Sequence, residues 1–246
     1  MSEVVNDVIV PFITTDQMRE VDRAMIEDFG ISLVQMMENA GRNLAQLARQ
    51  RFLDGDPRGR RVLVLAGTGG NGGGGLVCAR RLHNWGAHVD VLVTSQPAQF
   101  TEIPHHQLTI LQRMEISVGV AAEGIDLPPA DLIIDAIIGY SLYGAPTGPA
   151  AVLIRAANAH GAPILALDAP SGVDTTSGSA FEPAINATAT MTLALPKEGL
   201  RVEAAKVRVG ELYLADISVP LELYGRPPLN LKVANVFAQD EIVRLW

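Results

Sequence analysis

Only one cysteine, Cys78, occurs among 246 residues. No internal disulfide framework and no cysteine-built zinc site can therefore form, and a reducing compartment is expected. Cys78 itself reads as a small apolar residue buried on a helix. Basic residues are also in short supply, with 19 Lys and Arg against 27 Asp and Glu for a net charge of −8. They are scattered along the chain, which argues against a nucleic-acid partner whose phosphates need neutralising. Apolar residues make up 48% of the chain and mean hydropathy is +0.21, yet no apolar run approaches the roughly 18 residues that would span a bilayer. The opening residues, MSEVVNDVIVPFITTDQ, carry no basic n-region, no signal-length apolar segment and no Arg/Ser-rich amphipathic leader, so a cytoplasmic location is expected. A small-molecule ligand fits these absences better than a membrane or a nucleic acid.

What is present is an alternation of helical and strand-like segments. Thr14 with Gln17, and Ser32 with Gln35, form capping-box patterns. Each opens a stretch with apolar residues at helical spacing: Met18, Val21 and Met25, then Met36, Ala40, Leu44 and Leu47. Two amphipathic helices are therefore predicted first. The run Arg61 to Ala66 is short, apolar and β-branched, as in a strand buried on both faces. Leu76 to Trp85 reads as a helix with Gly86 as its stop. Strands follow at His88 to Thr94, Ile116 to Val120, Asp131 to Ala136 and Pro163 to Asp168, with helices near Leu108 to Met114 and Ala150 to His160. This order predicts an α/β fold with a mostly parallel sheet between helical layers. The length and the absence of any linker predict one domain over residues 1–246. In the last quarter, Ala187 to Pro196 and Val209 to Pro220 look strand-like with no clear helix between them, so a mixed edge to the sheet is expected.

In such sheets ligands bind beyond the carboxyl ends of the strands. Three segments occupy those ends: GTGGNGGGG (Gly67 to Gly75), DAIIGYSLYGAPTGP from Asp135, and DAPSGVD from Asp168. Gly67, Gly69 and Gly72 match the G-x-G-x-x-G spacing of a dinucleotide-binding turn, in which bare backbone approaches a pyrophosphate at a helix N-terminus. The acid that such a site wants for the ribose is missing, because the second strand ends Leu92, Val93, Thr94 and its Asp90 lies mid-strand. A P-loop is excluded, since GGGGLV offers no Lys and no Ser or Thr for phosphates and magnesium. Seven glycines in nine residues carry an ordering cost that packing alone seldom requires, which points to a ligand. Asp135 and Asp168 end apolar strands beside glycine-containing loops and so converge on one pocket. A carboxylate, the Ser171 hydroxyl, the Asn71 amide oxygen and loop carbonyls make an all-oxygen shell for a hard cation, monovalent or magnesium. His83, His88, His105, His106 and His160 share no metal-ligand spacing and read as surface or packing residues. Lys197, after Pro196, is read either as reaching a phosphate or as a solvated side chain.

Taken together, MMENAG (Met36 to Gly41), GTGGNGGGGLVCARRL (Gly67 to Leu82), DLIIDAIIGY (Asp131 to Tyr140), LDAPSGVDTTSG (Leu167 to Gly178) and LPKEGL (Leu195 to Leu200) resemble the YjeF N-terminal domain family, the NAD(P)H-hydrate epimerases. The resemblance implies a Rossmann-like three-layer α/β/α sandwich with two N-terminal helices. It implies an isomerase that interconverts the R and S epimers of hydrated NADH or NADPH in metabolite repair. Potassium is the implied cofactor, held by Asn71, Asp135 and Ser171. The implied substrate contacts are Gly70, Asn71, Gly72, Gly73 and Gly74, the stretch Gly139, Tyr140, Ser141, Leu142, Tyr143, Gly144 and Ala145, and Asp168 at the reacting ring. A homodimer packed through the N-terminal helices and a separate ATP- or ADP-dependent dehydratase are the implied partners. The family loop typically reads GPGNNGGDG; here Gly70 replaces its first Asn and Gly74 its Asp, so two side chains that contact substrate are missing.

The chemistry can be stated from the substrate. The hydrate is a carbinolamine at C6, and epimerisation requires the hydroxyl to leave, assisted by the ring nitrogen, and water to return on the other face. A carboxyl that gives and recovers a proton does this well, and the strand-end position of Asp168 makes it the candidate. Two other functions remain open at this point. One is an NAD-linked dehydrogenase using the glycine turn, which lacks the ribose acid and a catalytic His or Tyr-x-x-x-Lys pattern. The other is a non-catalytic nucleotide-binding or scaffold protein that keeps the fold.

Overall fold

The computed structural model describes residues 2–5 and 8–246. A short antiparallel hairpin, β1 (Ser2–Val5) and β2 (Val8–Pro11), precedes the two expected helices. Helix α1 spans Thr15–Glu27 and α2 spans Leu33–Phe52. Their first turns are closed as the capping boxes predict: Gln17 N–H donates to Thr14 Oγ1 at 3.1 Å, and Gln35 Oε1 accepts from Ser32 N–H at 2.8 Å. Each such cap is worth about 1 kcal/mol.

The alternating part then runs β3 (Arg61–Ala66), α3 (Gly70–Asn84), β4 (His88–Val93), α4 (Glu102–Arg113), β5 (Ser117–Val120), β6 (Leu132–Ala136), α5 (Gly148–His160) and β7 (Ile164–Leu167). It ends with β8 (Ala189–Leu193), α6 (Glu203–Val209), β9 (Glu211–Ala215), α7 (Leu221–Gly225) and β10 (Ile242–Arg244). The strand order is β10-β9-β8-β7-β6-β3-β4-β5, parallel except where β10 meets β9. From β3 the chain builds outward through β4 and β5, then returns to the other side of β3 with β6 and continues to β9. The order therefore reverses between β3 and β6, and at such a point the two flanking loops diverge and leave a crevice.

Successive residues of β3 face opposite layers. Val62, Val64 and Ala66 pack with α2, α3 and α4, while Leu63 and Leu65 pack with Leu153, Ile154 and Ala157 of α5. That is the three-layer α/β/α arrangement. A third apolar cluster joins α1 to α6, β9 and the C-terminal segment. Among the described residues no helix is long and apolar enough to cross a membrane.

Three local expectations change. Helix α4 starts at Glu102, ahead of the expected Leu108, so His105 and His106 stand exposed on a helix; Pro104 falls in its first turn, where a missing N–H costs nothing. Helix α6 fills the stretch expected to hold no helix, making β9 a parallel strand and confining the mixed edge to β10. Its seven residues are too few to show a period. Helix α3 begins at Gly70, six residues before the first apolar residue of the pattern, because tertiary packing overrides the poor helix propensity of glycine.

Candidate functional site

The glycine segment follows β3 directly. Gly67 N–H donates to Ala136 O at 3.1 Å, tying the exits of β3 and β6 together. A Cβ on Gly67 would lie 2.1 Å from Ile137 O, one on Gly72 1.9 Å from Gly67 O, one on Gly73 2.5 Å from Met37 Sδ and one on Gly75 2.5 Å from Ala136 Cβ. Packing against backbone or a rigid methyl group thus requires glycine at Gly67, Gly72 and Gly75, whereas the neighbour of Gly73 is the flexible end of Met37, so glycine density here reflects packing as well as any ligand. Gly69 meets nothing within 4 Å, and Gly70 meets only Met37 Cε at 3.8 Å. These two front open space.

Asp168 directly follows β7 with φ at +66°, a left-handed backbone that a non-glycine residue adopts at a cost of about 1–3 kcal/mol. Its surroundings hold it there. Its N–H donates to Met191 O at 2.7 Å, and its Oδ2 accepts from Tyr140 N–H at 2.9 Å. Its Oδ1 is ion-paired with Lys197 Nζ. Lys197 is fully buried and also donates to Leu193 O at 2.9 Å and Thr192 Oγ1 at 3.2 Å. It is therefore neither solvated nor free to reach a phosphate, because its charge is spent on Asp168. Its ammonium lies 5.9 Å from the Tyr140 ring centroid. The Tyr140 hydroxyl donates to Asp22 Oδ2 at 2.6 Å. Burial raises the pKa of Asp22 above the ordinary carboxylate range, and burial followed by the neighbouring Asp22 pushes the Tyr140 phenol up.

Asp135 is fully buried where β6 ends. Its carboxylate accepts from Ser171 N–H at 2.8 Å, Ser171 Oγ at 2.6 Å and Ile137 N–H at 3.2 Å. Burial outweighs these bonds and lifts its pKa to about 6. Among the described residues it has no ion-pair partner. Asn71, in the first turn of α3, has a buried amide nitrogen without an acceptor. A Cβ on Gly139 would lie 3.0 Å from Asp168 Oδ2 and 3.1 Å from Asn71 Oδ1, so these two side chains flank Gly139. Among the described residues no group of three or more His, Cys, Asp or Glu could hold a metal ion.

Asp22, Asn71, Tyr140 and Asp168 border a cavity of about 180 Å³, which Asp135, Ser171 and Lys197 do not line, so the two strand-end aspartates do not meet in it as expected. Met18, Leu33, Met36 and Met37 form much of its apolar wall; Asp22, Asn71 and Asp168 supply polar groups. Of the residues singled out from the sequence, Gly70, Asn71, Gly139, Tyr140, Ser141 and Asp168 line it. Gly72, Gly73 and Gly74 are buried inside α3. Leu142 and Tyr143 line a neighbouring cavity of about 240 Å³ that also contains Arg19, and Tyr140 borders both. Gly144 and Ala145 are exposed and line neither. Sequence reasoning passed over Asp22. The available signal was its place one turn from Met18 and from Met25, a carboxylate on the apolar face of α1.

The family model of the YjeF-related protein N-terminus matches residues 33–199. The chain belongs to this family. The YjeF-related domain is 44% identical to a protein of Dehalogenimonas lykanthroporepellens named NAD(P)H-hydrate epimerase, over 95% of this chain and 92% of that one. It is 36% identical to a Moorella thermoacetica protein named bifunctional NAD(P)H-hydrate repair enzyme Nnr, covering 90% of this chain but 43% of the other. Its fold matches the crystal structure of yeast ynu0 with a TM-score of 0.80 at 25% identity, over 96% of this chain and all of that one.

The departures from the family loop sit differently in this YjeF-related domain. Gly70 has room for a side chain, whereas a Cβ on Gly74 would lie 2.8 Å from Leu167 Cδ2. The first absence widens the space beside the cavity. The second lets Leu167, a cavity residue, lie against α3.

Proposed function

We propose that the chain is an NAD(P)H-hydrate epimerase, interconverting the R and S forms of hydrated NADH or NADPH. The observation that carries this reading is the buried Asp168, ion-paired with Lys197, bordering a largely apolar cavity at the switch point of the sheet. A volume of about 180 Å³ suits one six-membered ring, since an apolar cavity of about 150 Å³ takes benzene. The hydrated ring occupies it, and the rest of the dinucleotide runs over Ser141 to Ala145 toward Arg19. When the C6–O bond breaks, its electrons leave with oxygen as the ring nitrogen closes a C=N bond. Asp168 exchanges a proton with that oxygen on the ring face it meets. Lys197 fixes the carboxylate's orientation, and the methionine-rich wall limits stray water.

The residues present also fit a potassium ion held by Asn71, Asp135 and Ser171. A buried carboxylate without a counter-charge is costly unless it meets a cation, and Asp135 is fully buried with only hydrogen-bond donors on its carboxylate among the described residues. One carboxylate among neutral oxygens suits a singly charged ion. Such an ion supplies fixed positive charge beside the substrate. The same reading pairs two copies through the N-terminal helices, where Ile26 and Leu33 are partly exposed. It places the protein in the cytoplasm and sets its reaction before an ATP- or ADP-dependent dehydration of the S epimer.

The test is incubation with R-epimer hydrated NADH, with and without potassium, followed by chiral chromatography. Conversion to the S epimer that falls about 100-fold or more in Asp168→Asn is expected. Near-normal turnover by that variant removes the assignment of Asp168. Nucleotide binding without any conversion by the wild type favours a non-catalytic binding protein.

A further inference from the structure

Epimerisation by loss and return of water needs proton transfer on both faces of the ring, because the hydroxyl leaves from one and water arrives on the other. One fixed carboxyl serves only the face it meets. The cavity holds a second one. Asp22 reaches it from α1, a different layer from the strand end that carries Asp168. It makes no ion pair among the described residues, and the hydrogen bond to its side chain is the one from the Tyr140 hydroxyl. Tyr140 therefore joins the two acids, with its backbone N–H on Asp168 and its phenol on Asp22. The carboxyls are held apart by the length of one tyrosine, and both border the cavity.

We propose that Asp22 is the second acid–base group of the site, serving the ring face opposite Asp168. In one direction the Asp22 carboxyl gives its proton to the C6 hydroxyl and the C6–O bond breaks. Water departs, and the ring nitrogen's lone pair forms the C=N bond. A water on the opposite face then attacks C6, the C=N electrons return to nitrogen, and the proton released passes to the Asp168 carboxylate. The reverse reaction exchanges the roles, and solvent returns the proton between turnovers. Two different environments suit these roles: Asp168 lies against an ammonium, whereas burial of Asp22 favours its protonated form and outweighs the bond donated by the neutral Tyr140 phenol.

The proposal rests on the epimerase reading, and isotope exchange separates the two. Purified R and S epimers are incubated in water enriched in oxygen-18 with wild type, Asp22→Asn and Tyr140→Phe. Inversion and label entry into the C6 hydroxyl are followed by chiral chromatography and mass spectrometry. Asn keeps an acceptor for the Tyr140 hydroxyl, so the cavity survives; Tyr140→Phe keeps the carboxyl and removes only its positioning bond. Asp22→Asn is expected to lose inversion by about 100-fold or more while Asp168 still exchanges label into one epimer with retained configuration. Tyr140→Phe is expected to show a smaller loss of the same kind. Asp22→Asn that inverts at the wild-type rate, or loses inversion and exchange in equal proportion, overturns the role of Asp22. A wild type that neither inverts nor exchanges overturns the epimerase reading and the proposal together.

Discussion

Lys197, at the end of the turn after β8, is wholly buried with its ammonium against the carboxylate of Asp168, the residue that follows β7. Removing one partner of such a pair leaves an uncompensated charge. Lys197→Met is expected to destabilise the fold by about 3–5 kcal/mol and to abolish conversion, because Thr192 and Leu193 lose a donor as well. Urea denaturation followed by circular dichroism measures the first effect, and chiral chromatography the second.

Potassium is expected to raise the melting temperature relative to choline at equal ionic strength, because an ion that binds only the folded state stabilises it. In Asp135→Asn the rise should vanish. A variant that responds to potassium as fully as wild type would place the ion elsewhere.

Glycine substitutions along α3 should separate packing from open space. Gly72→Ala pushes a Cβ into the Gly67 carbonyl and is expected to cost about 1–3 kcal/mol or more. Gly70→Ala meets only the tip of Met37 and should stay within about 0.5 kcal/mol of wild type or exceed it. Denaturant midpoints of the two variants decide.

Acid sensitivity should trace in part to Glu211 on β9, which accepts from Arg51 of α2 at 2.9 Å. That bond lowers its pKa from 4.5 to about 2. The folded state therefore holds fewer protons than the unfolded state between these values, so the stabilisation is complete above pH 4.5 and is lost as pH falls toward 2. The gap between wild type and Glu211→Gln, about 1 kcal/mol for a partly exposed pair, should close over that interval. Denaturation midpoints taken from pH 3 to 7 test this.

The sequence by itself determined the layered α/β architecture, the two capped helices and the strand ends at which Asp135, Asp168 and the glycine segment stand. Each is written in neighbouring residues: a 3.6-residue or two-residue apolar period, a cap three residues from its partner, a glycine after a strand. Short α6 escaped because seven residues hold too little period, and the start of α3 because six residues of glycine-rich backbone carry almost none. What only the tertiary structure decided is which charges meet. Lys197 finds Asp168 across 29 residues and Asp22 finds the Tyr140 hydroxyl across 118. No local pattern encodes either contact, since each arises from how the layers close over the switch point between β3 and β6. The glycines divide for the same reason: carbonyls and a methyl group in contact distance exclude a larger residue at Gly67, Gly72 and Gly75, while Gly69 and Gly70 front open space.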